Sequence, residues 1–416
     1  MKHVKPILLS LASVGILALT GCARRPSGGG TCSTTVEITI WEDQTNIEMI
    51  KPIAEEFVNK HKKAYPSAPE INITFAEQTE KSAVEKMLTN NPTGHGPDIA
   101  AVTHDTIISA ADAGVIAPIM YEEEMKSLMS EDALNAVATV AKSGAKTLYG
   151  YPITAESQVV FFDNTAVTAE ELSSFDSFAK TNKKLAIKET NADCSFYNFG
   201  LLTDSVLFGE DGTDKKSVNL QTPKAIENIV TFYHDYHSSV LDLSPEDAVS
   251  SLLDGTVAGM VSSPFMYQTL KQKLGDKLGI AKLPTINGVS ERPFSGYKSY
   301  VVNSYSKYPE IANAIAAYLV NPDAQWIRLD EACYYPSLSE EAMTDDLKET
   351  IEGSEEATVF GESLADSRRM PSIGAMANFW SISQAVFGDF WTNGRGSLTE
   401  AQVKSGLAQI EAKLKA

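Results

Sequence analysis

Cysteine is scarce, with four in 416 residues. That count excludes a scaffold stapled by disulfides. Positive charge is also short: 35 Lys and Arg stand against 54 Asp and Glu, for a formal charge of −19. Nucleic-acid binding needs clustered cations to neutralise phosphates, so that class is excluded. Adhesion of the folded body to an anionic lipid surface is excluded on the same ground. Beyond residue 21 no apolar run approaches the roughly 18 residues of a membrane-crossing helix. Catalytic signatures are missing: there is no GxSxG, no P-loop, no HExxH and no CxxC. No repeat of fixed period is present. What is there is an ordinary globular mixture, 43% hydrophobic and 21% charged. At about 100–200 residues per domain, the chain has room for two domains, or three at most.

The first residues read as an address. Lys2 and Lys5 precede a largely apolar run over 7–19, the length of a signal-peptide core. The run ends in Leu19-Thr20-Gly21-Cys22, which resembles the lipobox of bacterial lipoproteins. The resemblance implies a signal peptide over 1–21, acylation of Cys22 (palmitate or a related chain) and a lipidated tether over 22–35. The alternative is a plain signal peptide with an incidental cysteine. Residues 23–34, ARRPSGGGTCST, are polar and Gly-rich, as a flexible tether requires. Cys32 falls in that tether. Cys194 and Cys333 remain as a candidate disulfide pair, whose Cα separation the sequence does not give.

Strand and helix alternate through the next 80 residues. Apolar and polar residues alternate over 36–41, which predicts a strand. Ile50, Ile53, Phe57 and Val58 follow helical spacing, with Pro52 in the first turn or at a kink. A second strand is expected over 71–75, then a polar helix through Val84, Met87 and Leu88. A short apolar run over 99–102 reads as a third strand. A helix through Ile107, Ile108 and Ala111 ends at Gly114. This order predicts an α/β fold with a parallel sheet, whose ligand sites lie beyond the strands' carboxyl ends. The loops concerned begin at Trp41, Phe75 and Val102. Two extended segments follow over 148–153 and 159–164, with Glu156 between them. A second α/β region has helices over 222–238, 244–253 and 265–274. Its strands are expected over 257–261, 279–283 and 299–303. Helices from Pro309 and from about Asp323 come next, and 340–416 reads mostly helical.

Little of the chemistry looks catalytic. His234 and His237 lie three apart on a predicted helix, where they suit solvent and the helix dipole better than a metal. Carboxylates are so frequent that no glycosidase-like pair stands out by spacing. Aromatic residues at loops are more telling. Phe196 and Tyr197 follow Asp193-Cys194-Ser195, Phe265 and Tyr267 follow Ser262-Ser263-Pro264, and Phe379-Trp380 closes a segment opening at Met370-Pro371. Aromatic faces can stack on a pyranose ring while carboxylates and amides bond its hydroxyls. Core packing is the competing reading for each ring alone.

These residues match a family. The chain resembles the maltose/maltodextrin-binding proteins, the cluster-1 extracellular solute-binding proteins of ABC importers, from about Val36 to the C-terminus. The matching stretches are Gly96-Pro97-Asp98-Ile99, His104-Asp105, and Ala113-Gly114-Val115-Ile116-Ala117-Pro118-Ile119. Tyr151-Pro152-Ile153-Thr154-Ala155-Glu156, Ser263-Pro264-Phe265 and Met370-Pro371 through Phe379-Trp380 follow. Leu283-Pro284-Thr285 and Arg292-Pro293-Phe294-Ser295-Gly296 match framework motifs. The resemblance implies that Asp105, with Thr103 alongside, and Glu156 bond sugar hydroxyls, and that Phe265, Trp380 and Phe196 offer stacking rings. An Asp-Lys pair usual between Trp41 and Asn46 is missing; Glu42, Asp43 and Gln44 are the candidates for its place, and Asp43 counts among the site residues. Val102 stands where an aromatic ring often lies, Thr106 where an arginine lies, and Phe196 where a tyrosine lies.

The resemblance also implies an architecture: a two-lobe, periplasmic-binding-protein-like α/β fold (type II), with a hinge between lobes and the ligand in the cleft. The lobes would be 36–150, completed by 300–345, and 151–299, with a helical segment over 346–416 packing on them. The function implied is that of a monomeric, lipid-anchored receptor on the extracytoplasmic face or in the periplasm. It would bind a maltodextrin or related oligosaccharide by hinge closure and deliver it to the transmembrane subunits of an ABC permease. No cofactor, metal or nucleic acid is implied. Two alternatives stay open: a sugar-sensing or adhesive lipoprotein, and a glycoside hydrolase using Asp105 and Glu156 as its carboxyl pair.

Overall fold

The computed structural model describes residues 35–140, 146–190, 198, 200–209 and 212–415. The expected signal segment, Cys22, Cys32, Cys194 and Phe196 lie outside the described residues. The described chain divides into two compact units. The first runs to Ala155 and adds Tyr297–Glu331 and Pro336–Thr350. The second comprises Glu156–Gly296, Ala332–Tyr335 and the chain from Ile351 onward.

Ten longer strands, with the short strand Arg368–Arg369 beside the last of them, form the two main sheets: β1 (Thr35–Glu42), β2 (Glu70–Glu77), β3 (Ile99–Thr103), β4 (Tyr151–Glu156), β5 (Val159–Asp163), β6 (Leu185–Ile187), β7 (Val240–Asp242), β8 (Gly259–Ser262), β9 (Leu278–Ala281) and β10 (Phe294–Val302). In the first unit β1 lies between β2 and β3 and is parallel to both. β10 pairs antiparallel with β3, placing Lys298 opposite Thr103 and Val302 opposite Ile99. Ile38 and Ile40 of β1 are buried, as alternation dictates. Ile99 to Val102 are all buried, because β3 is an inner strand covered on both faces.

Helix α1 (Gln44–Ala64) starts at an Asp43 N-cap whose side chain accepts from the Thr45 amide. Its buried face is Ile47, Ile50, Ile53, Ala54, Phe57 and His61, the spacing of one helical stripe. Pro52 lies inside this helix rather than in its first turn. The cap at Asp43 begins the helix well before Ile50. Pro52 is exposed, so water can serve the Glu48 carbonyl that loses its donor. Helix α2 (Glu80–Asn90) buries Ala83, Val84 and Met87, whereas Leu88, one step round the helix, stays 46% exposed. Gly114 follows the helix Ile107–Asp112 with φ +70°, a conformation that favours glycine.

The second unit has the sheet order β7-β6-β8-β5-β9. β6 is parallel to β7 and β8, and β5 runs antiparallel to β8 and β9. Glu156 is the last residue of β4 rather than part of a loop. The helix expected over 222–238 is regular only over Pro223–Thr231, then widens to a π-turn over Phe232–Tyr236. The helices Met376–Asp389 and Glu400–Lys415 pack onto this unit's core through Phe379, Phe387, Val403, Leu407 and Ile410. Among the described residues, no helix is long and apolar enough to cross a membrane.

Candidate functional site

In the first unit the carboxyl ends of β1, β2 and β3 fall at Glu42, Glu77 and Thr103. A buried network shapes this edge. Glu42 is 2% exposed. Its Oε1 accepts from the Asp43 amide and from Asn46 Nδ2, both at 3.0 Å. Its Oε2 accepts from the Tyr300 hydroxyl at 2.6 Å. Arg328 Nη2 donates to that hydroxyl at 3.2 Å, and Nη1 donates to the Leu319 and Ala324 carbonyls. Burial, with the charge of Glu80, pushes the Glu42 carboxyl up from its usual range, while Tyr300, Asn46 and Arg328 oppose the shift. Glu42 therefore holds the loop after β1 and does not face solvent. Gln44 is exposed. Asp43 is part-exposed, and its Oδ1 accepts from the Thr45 amide and hydroxyl at 3.0 and 2.8 Å.

Thr103 ends β3, and a short 3-10 turn, His104–Thr106, follows. His104 is buried at 1% exposure. Its Nδ1 accepts from the Tyr297 amide at 3.1 Å, which puts the ring proton on Nε2. The ring also meets Tyr297 edge-on at 5.9 Å. His104 thus pins the turn, and Asp105 is turned outward and exposed. Asp105 makes no hydrogen bond or ion pair among the described residues, and neither does the Thr103 hydroxyl. Thr106 Oγ1 is spent on the Thr103 carbonyl at 2.7 Å. Val102 is fully buried in β3, so no side chain at that position faces the edge here.

In the second unit the corresponding edge is marked by Ile187, Asp242 and Ser262, with the amino end of β5 beside Ser262. The turn Pro264–Met266 follows β8, and Phe265 is left 47% exposed. A phenyl ring that far out of the core costs apolar burial. Glu156 is part-exposed and lies over Gly296: a Cβ there would be 3.6 Å from Glu156 Cγ. Trp380 packs edge-on against Phe294 at 5.9 Å and Phe379 at 5.5 Å. Glu156 and Trp380 are therefore both set against the 294–296 stretch of β10.

Glu189, just past β6, is buried. Tyr233 and Asn198 reach its Oε2 at 2.7 and 3.3 Å. Burial pushes this carboxyl to about 8. Sequence reasoning missed Glu189, Arg328 and the pair Lys298–Glu80, and left Glu42 as one of three candidates without foreseeing its burial. A lysine inside the apolar strand pattern of β10 was the one local signal. His234 Nδ1 lies 2.6 Å from Asp235, and His237 Nδ1 meets the His234 carbonyl at 3.0 Å. Among the described residues no cluster of His, Cys, Asp and Glu has metal-binding geometry.

The chain matches the family of bacterial extracellular solute-binding proteins over residues 53–352. It is 24% identical, over 93% of its length and 92% of the relative's, to the galactooligosaccharide-binding protein of Bacillus subtilis (strain 168). It is 21% identical, over 95% and 94%, to the maltooligosaccharide ABC transporter solute-binding lipoprotein of Streptococcus pneumoniae serotype 4. Its fold is that of the ligand-free maltodextrin-binding protein of L. casei BL23, with a TM-score of 0.76, 21% identity, and coverage of 92% of this chain and 99% of that one. The type II fold that the sequence motifs implied is thus the fold observed. On the strength of a match covering most of its length, the chain belongs to the bacterial extracellular solute-binding proteins.

Proposed function

We propose that this chain is the sugar-binding component of an ABC importer, taking a maltodextrin or related oligosaccharide and passing it to the permease subunits. The carrying observation is Asp105. It is an exposed carboxylate with no partner among the described residues, beside the Thr103 hydroxyl, at the carboxyl edge of a parallel sheet. Such edges are where open α/β sheets take ligands. A carboxylate and a hydroxyl are acceptors suited to sugar O–H groups. Phe265 and Trp380 supply rings for the apolar faces of pyranose units, and Glu156 a second carboxylate. Binding shifts a conformational equilibrium and needs no bond cleavage, so no sugar is hydrolysed.

The relatives named above differ in sugar, one galacto- and one maltooligosaccharide. Both classes therefore belong in the test. Calorimetric titration with maltose to maltopentaose and with galactooligosaccharides should give saturable binding at one site per chain. Chromatography of the same mixtures should show no shorter sugars. Cleavage products would overturn the receptor reading. Anchoring through Cys22 and an extracytoplasmic location belong to the same proposal. Labelled palmitate should enter the unmodified chain in bacterial cells and not a Cys22→Ala variant.

A further inference from the structure

Lys298 Nζ lies 3.1 Å from Glu80 Oε1, and the two side chains are only 12% and 11% exposed. An ion pair so far out of water gains little net stability, because desolvation offsets the attraction. Its position is more informative than its energy. Lys298 is paired in register with Thr103, the last residue of β3, and directly opposed residues share a sheet face. Glu80 opens α2, just past the carboxyl end of β2. The pair thus stands on the edge that carries Thr103 and Asp105. The loops over 42–46 and 103–106 contain no Lys or Arg. The Tyr297 amide bond to His104 fixes this part of β10 against the turn that presents Asp105, which holds the base of the lysine stem in place.

We propose that Lys298, oriented by Glu80, is a specificity-determining binding residue. The ammonium donates to one sugar hydroxyl and the Glu80 carboxylate accepts from its neighbour. A donor beside an acceptor matches vicinal hydroxyls, and charged groups make the stronger bonds. Which sugar is preferred then depends on how a given epimer sets those two oxygens. This inference deepens the functional reading above and rests on it.

The test is calorimetry on the full chain with maltotriose, maltotetraose and a galactooligosaccharide. Lys298→Met keeps the stem and removes the charge. It should weaken the preferred sugar at least tenfold and narrow the gap between sugars; because it leaves the Glu80 carboxylate buried without its cation, the thermal midpoint of the ligand-free chain falls too, and affinity is read well below that midpoint. Lys298→Gln keeps a shorter donor and should fall between the two, and it serves if the methionine variant does not fold. Glu80→Gln should narrow the same gap by a smaller factor. Unchanged affinity and unchanged preference in the Lys298 variants would overturn this inference alone. Failure of the unmodified chain to bind any of these sugars would overturn the functional reading, and this inference with it.

Discussion

The Tyr233 hydroxyl lies 2.7 Å from Glu189 Oε2, deep in the second unit, and 2.8 Å from Asn198 Oδ1. One phenolic proton cannot serve two acceptors. The arrangement is satisfied when Glu189 is protonated: it donates to Tyr233, and Tyr233 donates to Asn198. Burial favours the same state, since it pushes this carboxyl to about 8. Geometry and burial both favour the protonated form of Glu189 well above the usual carboxylate range.

Stability should therefore depend on pH through Glu189. The folded state holds its proton up to about pH 8, whereas an unfolded chain releases it near the ordinary value of about 4.3. Between those limits the folded state binds more protons, so stability falls as pH rises from about 5 to about 8 and levels off above. Glu189→Gln should remove this slope and exceed the parent chain in stability at pH 8. Urea titrations at four pH values, compared pairwise, check it. A difference that stays constant from pH 5 to 8 would mean that Glu189 is already ionised in the folded chain.

Tyr300→Phe should cost about 1–3 kcal/mol, the usual loss when a buried polar partner is removed. Glu42 Oε2 loses a bond of 2.6 Å, and Arg328 Nη2 loses its acceptor. The whole ring remains, so packing is little disturbed. Chemical denaturation should show a lower midpoint with an unchanged slope.

Asp105→Ala should weaken sugar binding at least tenfold and leave the thermal midpoint nearly unmoved. Its side chain is exposed and has no partner among the described residues, so nothing in the fold depends on it. Calorimetry and a melting curve on one preparation separate the two effects. Unaltered affinity removes Asp105 from the site.

Phe265→Ala should lower affinity about tenfold, or about 1.4 kcal/mol, through loss of a stacking face. With the ring 47% exposed, folding stability should change by about 0.5 kcal/mol or less. Phe265→Trp offers a larger face and should retain or improve binding. Fluorescence of that variant gives the readout.

Local pattern carried much of the fold. β1, α1, β2 and β3 follow from periods of two and 3.6 residues, which each segment displays by itself. β10 was only half legible. Its apolar end over 299–303 reads as a strand, but Gly296 and Lys298 interrupt the alternation, and its earlier residues are fixed by pairing with β3 and β4. The π-turn at Phe232–Tyr236 leaves no periodic mark. At the candidate site, Asp105 and Phe265 carry motif signals and are exposed. Glu42 was one of three open candidates, because a carboxylate next to a loop is expected in water. Its burial depends on Tyr300 and Arg328, far away in sequence. Lys298 and Glu80 meet only when strand and helix are packed, and no spacing rule joins them.

Glu42 and Tyr300 are separated by 258 positions, and Arg328 lies further on still. During synthesis the ribosome releases Glu42 long before either partner exists. The first unit cannot be completed until β10 and Arg328 have emerged, because β3 waits for β10 as its neighbour and Glu42 waits for its donors, and the second unit waits longer still, for the chain from Ile351 onward. Until β10 emerges β3 has an open edge, and its pairing is a contact of long sequence separation, the kind that forms slowly. Neither unit is complete in the stretch of chain that begins it, so closure of both is deferred to late in synthesis.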